Sequence, residues 1–278
     1  MTGVDIATSQ GPARADLAAP GGDGPLSFLL VLTHGAGGSV DAPDLLAVRD
    51  AALQQGGATA LVTQPYRVRG ARAPGSAARQ DEAWQEIIAF LRAGSWFSPG
   101  AESSLGERSS AGKASSAGET RLSAGEAPLS GSAGKAPLSR SAGEAPLSGE
   151  APPGPRLPLI VGGRSNGARV ACRTAVAVGA SGVIALAFPL RPPARRAAAG
   201  SAATSGRPTR DAELRAAAEG GARVLVVNGD SDPFGIPDPG PAIRVVVLEG
   251  ESHSLSRRPG AVAGAVTRWL SRAVPLAH

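Results

Sequence analysis

The chain is poor in the residue types that define several classes of protein. One cysteine, Cys172, among 278 residues excludes an internal disulfide framework and a cysteine-based zinc cluster, and we interpret it as a small buried hydrophobic residue. No apolar run reaches about 18 residues, the length of a membrane span. The first 20 residues lack the apolar core of a secretion signal. These absences predict a cytoplasmic protein without a membrane partner.

Lysine and aromatic side chains are also scarce, which bears on nucleic-acid binding. The net charge is +5, but only Lys113 and Lys135 are lysines, and the arginines are scattered along the chain among Ala and Gly. Aromatic residues make up 3% of the chain. A nucleic-acid surface needs clustered cations with interleaved aromatics, and its binding weakens steeply with salt. We therefore expect no nucleic-acid partner.

Glycine and proline, by contrast, are abundant, at 38 and 24 residues. Residues 123–149 read SAGEAPLSG, SAGKAPLSR and SAGEAPLSG, a repeat with almost no branched or aromatic side chains. Such a segment cannot offset by burial the conformational entropy that ordering would cost. We predict a disordered insertion at 95–156 within a single domain spanning 25–278. Residues 1–24 are predicted to form a tail, with a weak edge strand near Ala13–Leu17.

Elsewhere, continuous apolar runs alternate with helical patterns. The predicted strands cover residues 28–33, 58–63, 157–162, 183–188, 223–228 and 243–248, and the predicted helices cover 43–55, 80–92, 167–178, 211–219 and 260–273. We expect Asp41 to be the N-cap of the first helix and Pro43 to begin it. This alternation predicts a mostly parallel α/β sheet covered on both faces, with its ligand site at the carboxyl ends of the strands.

A candidate nucleophile lies at one of these strand ends. Gly163-Arg164-Ser165-Asn166-Gly167 is a G-x-S-x-G pattern that follows a predicted strand directly and opens a predicted helix. A nucleophile elbow requires this context, because its serine occupies a strained turn between small neighbours. The alternative interpretation is that Ser165 is only a helix N-cap.

A serine nucleophile needs a base and an acid that orients the base. Of the three histidines, only His253, in GESHSL after the last predicted strand, follows the serine before the chain terminus. Asp232, in NGDSDPFG, follows the strand at 223–228, and Asp230 beside it is the alternative acid. The order Ser165, Asp232, His253 is the order found in α/β hydrolases, and each residue follows a predicted strand.

Glycine-rich backbone follows the first buried strand, in HGAGG at 34–38. The α/β-hydrolase arrangement places one oxyanion donor here and a second at the amide that follows the nucleophile. We therefore expect the backbone N–H groups of Ala36 and Asn166 to form an oxyanion hole. His34 would then shape the turn.

Six segments together resemble the α/β-hydrolase-like family that includes testis-expressed KANL/Tex-type proteins and many bacterial members. They are LTHGAGGSVDAPDL (32–45), TQPYRVRG (63–70), VGGRSNGARVACRTA (161–175), ALAFPLRPP (185–193), NGDSDPFGIP (228–237) and GESHSL (250–255). The resemblance covers about 28–94 and 156–272, and the repeat is foreign to it. It implies an α/β-hydrolase fold with the family's serine, acid and histidine at Ser165, Asp232 and His253, since DPFG favours Asp232 over Asp230.

The resemblance also implies an activity. A hydrolase of this kind, related to dienelactone-hydrolase-type enzymes, acts on a small-molecule ester or thioester and requires no metal or cofactor. Family members in regulatory complexes make a catalytically silent binding or scaffold module the alternative. His34, Gly37 and Arg191 are the candidate substrate contacts. Relatives often have His-Pro-Pro where this chain has Arg191-Pro192-Pro193, which leaves specificity open.

The two irregular segments have different places in this fold. Residues 191–210 leave the carboxyl end of a strand, on the face where lids and substrate contacts belong, and they carry Arg191, Arg195, Arg196, Arg207 and Arg210. These arginines suggest the hypothesis of an anionic substrate. The 95–156 insertion joins a helix to the amino end of the nucleophile strand, so we expect it on the opposite face, where it does not gate the chemistry.

Overall fold

The buried apolar runs form one eight-stranded sheet in the computed structural model, which describes residues 2–22, 24–94, 96, 157–192 and 209–273. The strands are β1 (Thr2–Ile6), β2 (Ala13–Ala18), β3 (Phe28–Thr33), β4 (Gly57–Thr63), β5 (Leu159–Arg164), β6 (Gly182–Leu186), β7 (Arg223–Gly229) and β8 (Ile243–Leu248). The helices are α1 (Pro43–Gln54), α2 (Pro65–Val68), α3 (Ala77–Ala93), α4 (Asn166–Thr174), α5 (Asp211–Glu219) and α6 (Pro259–Ala273).

The sheet order is β1-β2-β4-β3-β5-β6-β7-β8. Strands β3 to β8 are parallel to one another, whereas β1 and β2 pair antiparallel at one edge. This is the mostly parallel α/β sheet that the alternating pattern predicts. Because β3, β5, β7 and β8 run in the same direction, the loops that follow them meet at one edge of the sheet.

Helices cover both faces of the sheet, which explains why the central strands are continuous apolar runs. On one face α1 and α6 pack together, and Leu45 and Trp269 join a core with Phe28 and Leu30. On the other face α3, α4 and α5 pack against one another, with Trp84 fully buried. Cys172 of α4 is buried there as a free thiol, as expected.

The weak edge strand expected near Ala13–Leu17 is present as β2, whereas Thr2–Ile6, expected to belong to a tail, form a further strand, β1. Register pairs Ala15 with Val4 on one side and with Val62 of β4 on the other. Ala13, Ala15 and Leu17 are buried, while Arg14 between them is exposed. Apolar and polar residues alternate in this segment of the sequence. The inward positions are mostly alanine, however, so the alternation is only a weak signal for a strand.

The start of α1 also differs from the prediction. Its N-cap is Ala42, which has no side-chain cap, so Asp41 is not the N-cap residue, whereas Pro43 begins the helix as expected. The acidic side chain in the first turn is Asp44, which is buried.

The predicted insertion at 95–156 lies outside the described residues except for Trp96, which stacks on Phe90. Residues 193–208, with Arg195, Arg196 and Arg207, also lie outside them. In the described part of the chain, no helix combines the length and apolar character needed to span a membrane.

Candidate active site

Ser165 occupies a strained turn between β5 and α4. Its φ is 53° and its ψ is −109°, in a region that L-residues with a Cβ rarely adopt. The turn also brings backbones close together. A Cβ at Gly163 would lie only 2.5 Å from Thr33 O, and a Cβ at Gly167 only 2.7 Å from His34 O. The two glycines of the G-x-S-x-G pattern are thus required by space, and the serine side chain is held at the carboxyl edge of the sheet.

His253 joins Ser165 and Asp232 in one hydrogen-bonded series. Its Nε2 lies 2.9 Å from Ser165 Oγ, and its Nδ1 lies 2.9 Å from Asp232 Oδ2. Because an ionised carboxylate only accepts, Nδ1 is the protonated nitrogen, and Nε2 is free to accept the serine proton. The Asp232 side chain is fully buried, whereas that of His253 is 24% exposed. The loops after β5, β7 and β8 therefore bring the three residues together.

The carboxylate of Asp232 is held on both oxygens. Asn228 Nδ2 donates to Oδ2 at 3.2 Å, and the Phe234 amide donates to Oδ1 at 2.9 Å. The Phe234 ring also meets the His253 ring edge to face, with centroids 4.5 Å apart. Asp232 and the tilt of the imidazole are thus fixed by the same short loop.

Asp230, the alternative acid, faces another group. Its carboxylate accepts the Gly250 amide at 3.0 Å, and this hydrogen bond holds its pKa below the ordinary value. The side chain is exposed and ties the start of the His253 loop to the end of β7. Of the two aspartates, the structure brings Asp232 to the histidine.

The loop at 34–38 lies against the serine, where the oxyanion donors are expected. A Cβ at Gly35 would lie 3.4 Å from Ser165 Cβ, and the Gly38 amide closes the turn on Gly35 O at 3.1 Å. Within the described residues, the amides of Ala36 and Asn166 donate to no other group. Both N–H groups are therefore without an acceptor in this part of the chain.

Tyr66, the one tyrosine of the sequence, supports this loop. Its hydroxyl donates to Ala36 O at 3.1 Å, and burial raises its pKa to about 12, so it stays a donor at neutral pH. Tyr66 was not among the predicted site residues. The only signal was its place in TQPYRVRG, where a solitary aromatic stands in a polar segment.

His34, a candidate substrate contact, lies beneath the turn. It is fully buried, the Gln64 amide donates to its Nε2 at 3.1 Å, and its Nδ1 lies 2.8 Å from Gly35 O. Burial lowers its pKa, which keeps the ring neutral with the proton on Nδ1. Both nitrogens are therefore engaged inside the fold and none faces solvent.

The other two candidate contacts are exposed. Gly37 has open space where a side chain would project. The Arg191 amide donates to Phe234 O at 2.8 Å, and its guanidinium lies beside Gly235, with Nη1 3.3 Å from the position of a Cβ there. In the described part of the chain no carboxylate pairs with Arg191. A cation thus stands next to the Asp232–Phe234 loop.

Asn166 carries a second contact that the sequence analysis missed. Its Nδ2 donates to Gln80 Oε1 at 2.6 Å, and Gln80 Nε2 donates to the carbonyl oxygens of Gly75 and Ser76. This series joins the residue after the nucleophile to the start of α3. No sequence pattern marks it, since 86 residues separate the two side chains.

One cavity of the molecule lies apart from this site. A cavity of about 680 Å³ is lined by Arg223, Ile243 and Trp269, at the amino ends of β7 and β8 and hence at the opposite edge of the sheet. Among the described residues, no three His, Cys, Asp or Glu side chains gather in a way that would hold a metal ion.

Comparison with known families supports the fold. The family described as an alpha/beta hydrolase domain matches residues 150–261, a segment that includes Ser165, Asp232 and His253. The comparison with curated proteins found no match.

Solved structures extend the likeness to the whole chain. An a/b serine hydrolase without a lid from Xanthomonas campestris is 14% identical, with a TM-score of 0.59 over 100% of this chain and 96% of that one. A dienelactone hydrolase from Anabaena variabilis is 15% identical, with a TM-score of 0.58 over 99% and 98%. Est1E from Butyrivibrio proteoclasticus is 13% identical, with a TM-score of 0.58 over 98% and 99%. The chain therefore has the α/β-hydrolase fold.

Proposed function

We propose that this protein is a serine hydrolase that cleaves a small-molecule ester or thioester. The observation that carries the proposal is the hydrogen-bonded series from Ser165 Oγ through His253 to Asp232, with both links at 2.9 Å. The series lies at the carboxyl edge of a parallel sheet, where this architecture binds its ligands. Two unoccupied backbone amides beside the serine provide the second requirement of acyl transfer.

In the proposed reaction, Ser165 Oγ attacks the carbonyl carbon of the substrate while its proton passes to His253 Nε2. The amides of Ala36 and Asn166 donate to the oxyanion that forms, and Asp232 stabilises the imidazolium. The intermediate collapses to an acyl-serine, and the leaving alcohol or thiol takes the proton from His253. Water then attacks the acyl group by the same route, which releases the acid and restores Ser165.

The structural neighbours are consistent with this chemistry. They include a serine hydrolase and a dienelactone hydrolase, and Est1E has also been solved with ferulic acid bound. We carry over from them only the reaction class, because their identities of 12–15% show the fold alone. The closer relationship to the KANL/Tex type rests on the six sequence segments and belongs to the proposal.

The finer proposal is an anionic substrate. It rests on Arg191, whose guanidinium lies beside Gly235 without a carboxylate partner among the described residues. An assay with matched anionic and neutral esters compares the KM values of the two substrate classes.

The deciding experiment compares wild type with Ser165→Ala. Wild type is expected to react with a fluorophosphonate probe and to turn over a short p-nitrophenyl ester at mildly alkaline pH, and both activities should vanish in the variant. Ser271→Ala, at an exposed serine on α6, is the matched control and should keep both. A folded wild type that neither labels nor turns over would contradict the proposal and favour a binding or scaffold module.

A further inference from the structure

Arg164 lies directly before Ser165, and its side chain reaches the loop that carries His253. Its backbone ends β5, while its Nη2 donates to the carbonyl oxygen of His253 at 3.4 Å. One residue is therefore bonded to the nucleophile through the chain and to the base through a hydrogen bond. The contact joins positions 89 residues apart.

A buried carboxylate holds this arginine from behind. Asp44 Oδ2, in the first turn of α1, lies 3.5 Å from Arg164 Nε, and the Asp44 side chain has no exposed surface. No described group makes a well-formed hydrogen bond to either carboxylate oxygen. Among the described residues, Arg164 is the cation that pairs with Asp44. The guanidinium faces Asp44 with Nε and His253 with Nη2, a division of donors that a lysine cannot reproduce.

This ion pair is a poor source of fold stability. Burial raises the pKa of Asp44, and the Arg164 charge and the first-turn amides offset only part of that effect. The ionised carboxylate is thus less favoured in the folded protein than in water, and a neutral side chain of the same shape would fit at lower cost. A buried charge that does not favour the fold calls for another role.

The remaining anchors of the His253 loop act at its ends. Asp230 holds the Gly250 amide, and the fully buried Glu251 accepts the amides of Arg257 and Arg258. The negative charge of Glu251 also raises the pKa of Asp44, but the Glu251 carboxylate forms its hydrogen bonds with the His253 loop. Within the described residues, the contact at the His253 backbone itself comes from Arg164.

We propose that Asp44 and Arg164 are positioning residues that fix the His253 backbone relative to Ser165. The alignment of His253 Nε2 with Ser165 Oγ, at 2.9 Å, is called their register. The proposal rests on the proposed hydrolase function, in which that register governs proton transfer. Arg164 fixes the base relative to the nucleophile, and Asp44 fixes Arg164. Neither side chain is assigned a contact with substrate.

The kinetic test uses Asp44→Asn, Arg164→Gln, Arg164→Lys and the double variant of the first two. Loss of register should lower kcat by about 10- to 100-fold and leave KM unchanged, since substrate contacts are untouched. Arg164→Lys should recover part of kcat because its single ammonium replaces one of the two contacts. If the residues act as one unit, the double variant should be no worse than Arg164→Gln alone.

The matched control is Arg215→Gln. Arg215 also pairs with an aspartate, Asp211 at 2.9 Å on α5, and donates to the Asp238 carbonyl oxygen, with no hydrogen bond to Ser165, Asp232 or His253. This control should keep the wild-type kcat. Thermal unfolding of every variant separates loss of register from loss of fold, and Asp44→Asn, which keeps the side-chain shape, decides the matter if Arg164→Gln does not fold.

A second readout does not depend on turnover. The chain has three histidines, so the imidazole nitrogen resonances of His253 are assigned with His253→Asn. Wild type should show an Nε2 resonance shifted by the hydrogen bond from Ser165, and Asp44→Asn and Arg164→Gln should move that resonance toward its position in Ser165→Ala. An unchanged Nε2 resonance and kcat in both folded variants would overturn the positioning role. A wild type without turnover whose Nε2 resonance responds to both substitutions would refute the hydrolase proposal alone.

Discussion

Asp230 and Asp232 stand two residues apart on the loop after β7, and their side chains bond to different partners. Asp232 meets His253 Nδ1, whereas Asp230 meets the Gly250 amide. From the sequence both were candidate acids, since each follows the strand. The DPFG segment favoured Asp232, whose carboxylate accepts from Asn228 and from the Phe234 amide and points inward.

We expect Asp232→Asn to lower kcat by about 10⁴-fold, because an amide at this position favours the wrong imidazole tautomer. Asp230→Asn should lower kcat less than about tenfold, because it weakens only a hydrogen bond at the start of the His253 loop. Steady-state kinetics on the same ester give both values. Equal losses in the two variants would mean that Asp230 shares the role of the acid.

The sequence singled out candidate residues where a residue type, a strand end and chain order all agreed. Ser165, Asp232 and His253 met these conditions, and the structure brings them together. Arg164, Tyr66 and Gln80 did not. Their contacts join side chains to distant backbone or amide groups, and such pairings depend on packing that no local pattern records.

At the scale of elements, the elbow depends on how closely α4 approaches β3. A Cβ at Gly167 would lie 2.7 Å from both Thr33 O and His34 O, so backbone itself would have to move. Gly264, in the middle of α6, would meet only the far end of Arg268, at 3.3 Å. The two helical glycines therefore differ in whether a methyl group has room.

We expect Gly167→Ala to lower the free energy of unfolding by about 1–3 kcal/mol, because it overpacks two backbones. Gly264→Ala should raise it by about 0.5–1 kcal/mol, because alanine is the better helix former. Urea denaturation of the pair measures both changes. Stabilisation by Gly167→Ala would show that the elbow has room that the structure does not indicate.

Element prediction was most reliable for the buried parallel strands and least reliable at the sheet edge. The six apolar runs are β3 to β8, within about two residues at their ends. β2 was expected only as a weak edge strand and β1 was missed, because an edge hairpin needs only alternation and tolerates small or polar residues. The short helix α2 formed where a loop was expected, since Pro65 can begin a turn of helix.

At the scale of the molecule, the 95–156 insertion is predicted to be dispensable for catalysis. Its flanks, the end of α3 and the start of β5, are not among the strand ends that carry Ser165, Asp232 and His253. Replacement of residues 97–156 by a flexible Gly/Ser linker should leave kcat/KM unchanged. A variant with the same segment scrambled controls for length. A folded deletion variant that loses activity, with the scrambled variant active, would assign the segment's length a role at the site.

The sheet order also divides the chain into two contiguous halves. β1 to β4 fill one half, β5 to β8 fill the other, and within the described residues β3 with β5 is the strand pairing that joins them. Ser165, Asp232 and His253 belong to the second half, while Ala36 and Asp44 come from the first. Two separately expressed polypeptides cut between α3 and β5 would assemble a complete site only by docking along this seam. Under the proposed hydrolase function, turnover by such a pair would report the association of the two halves.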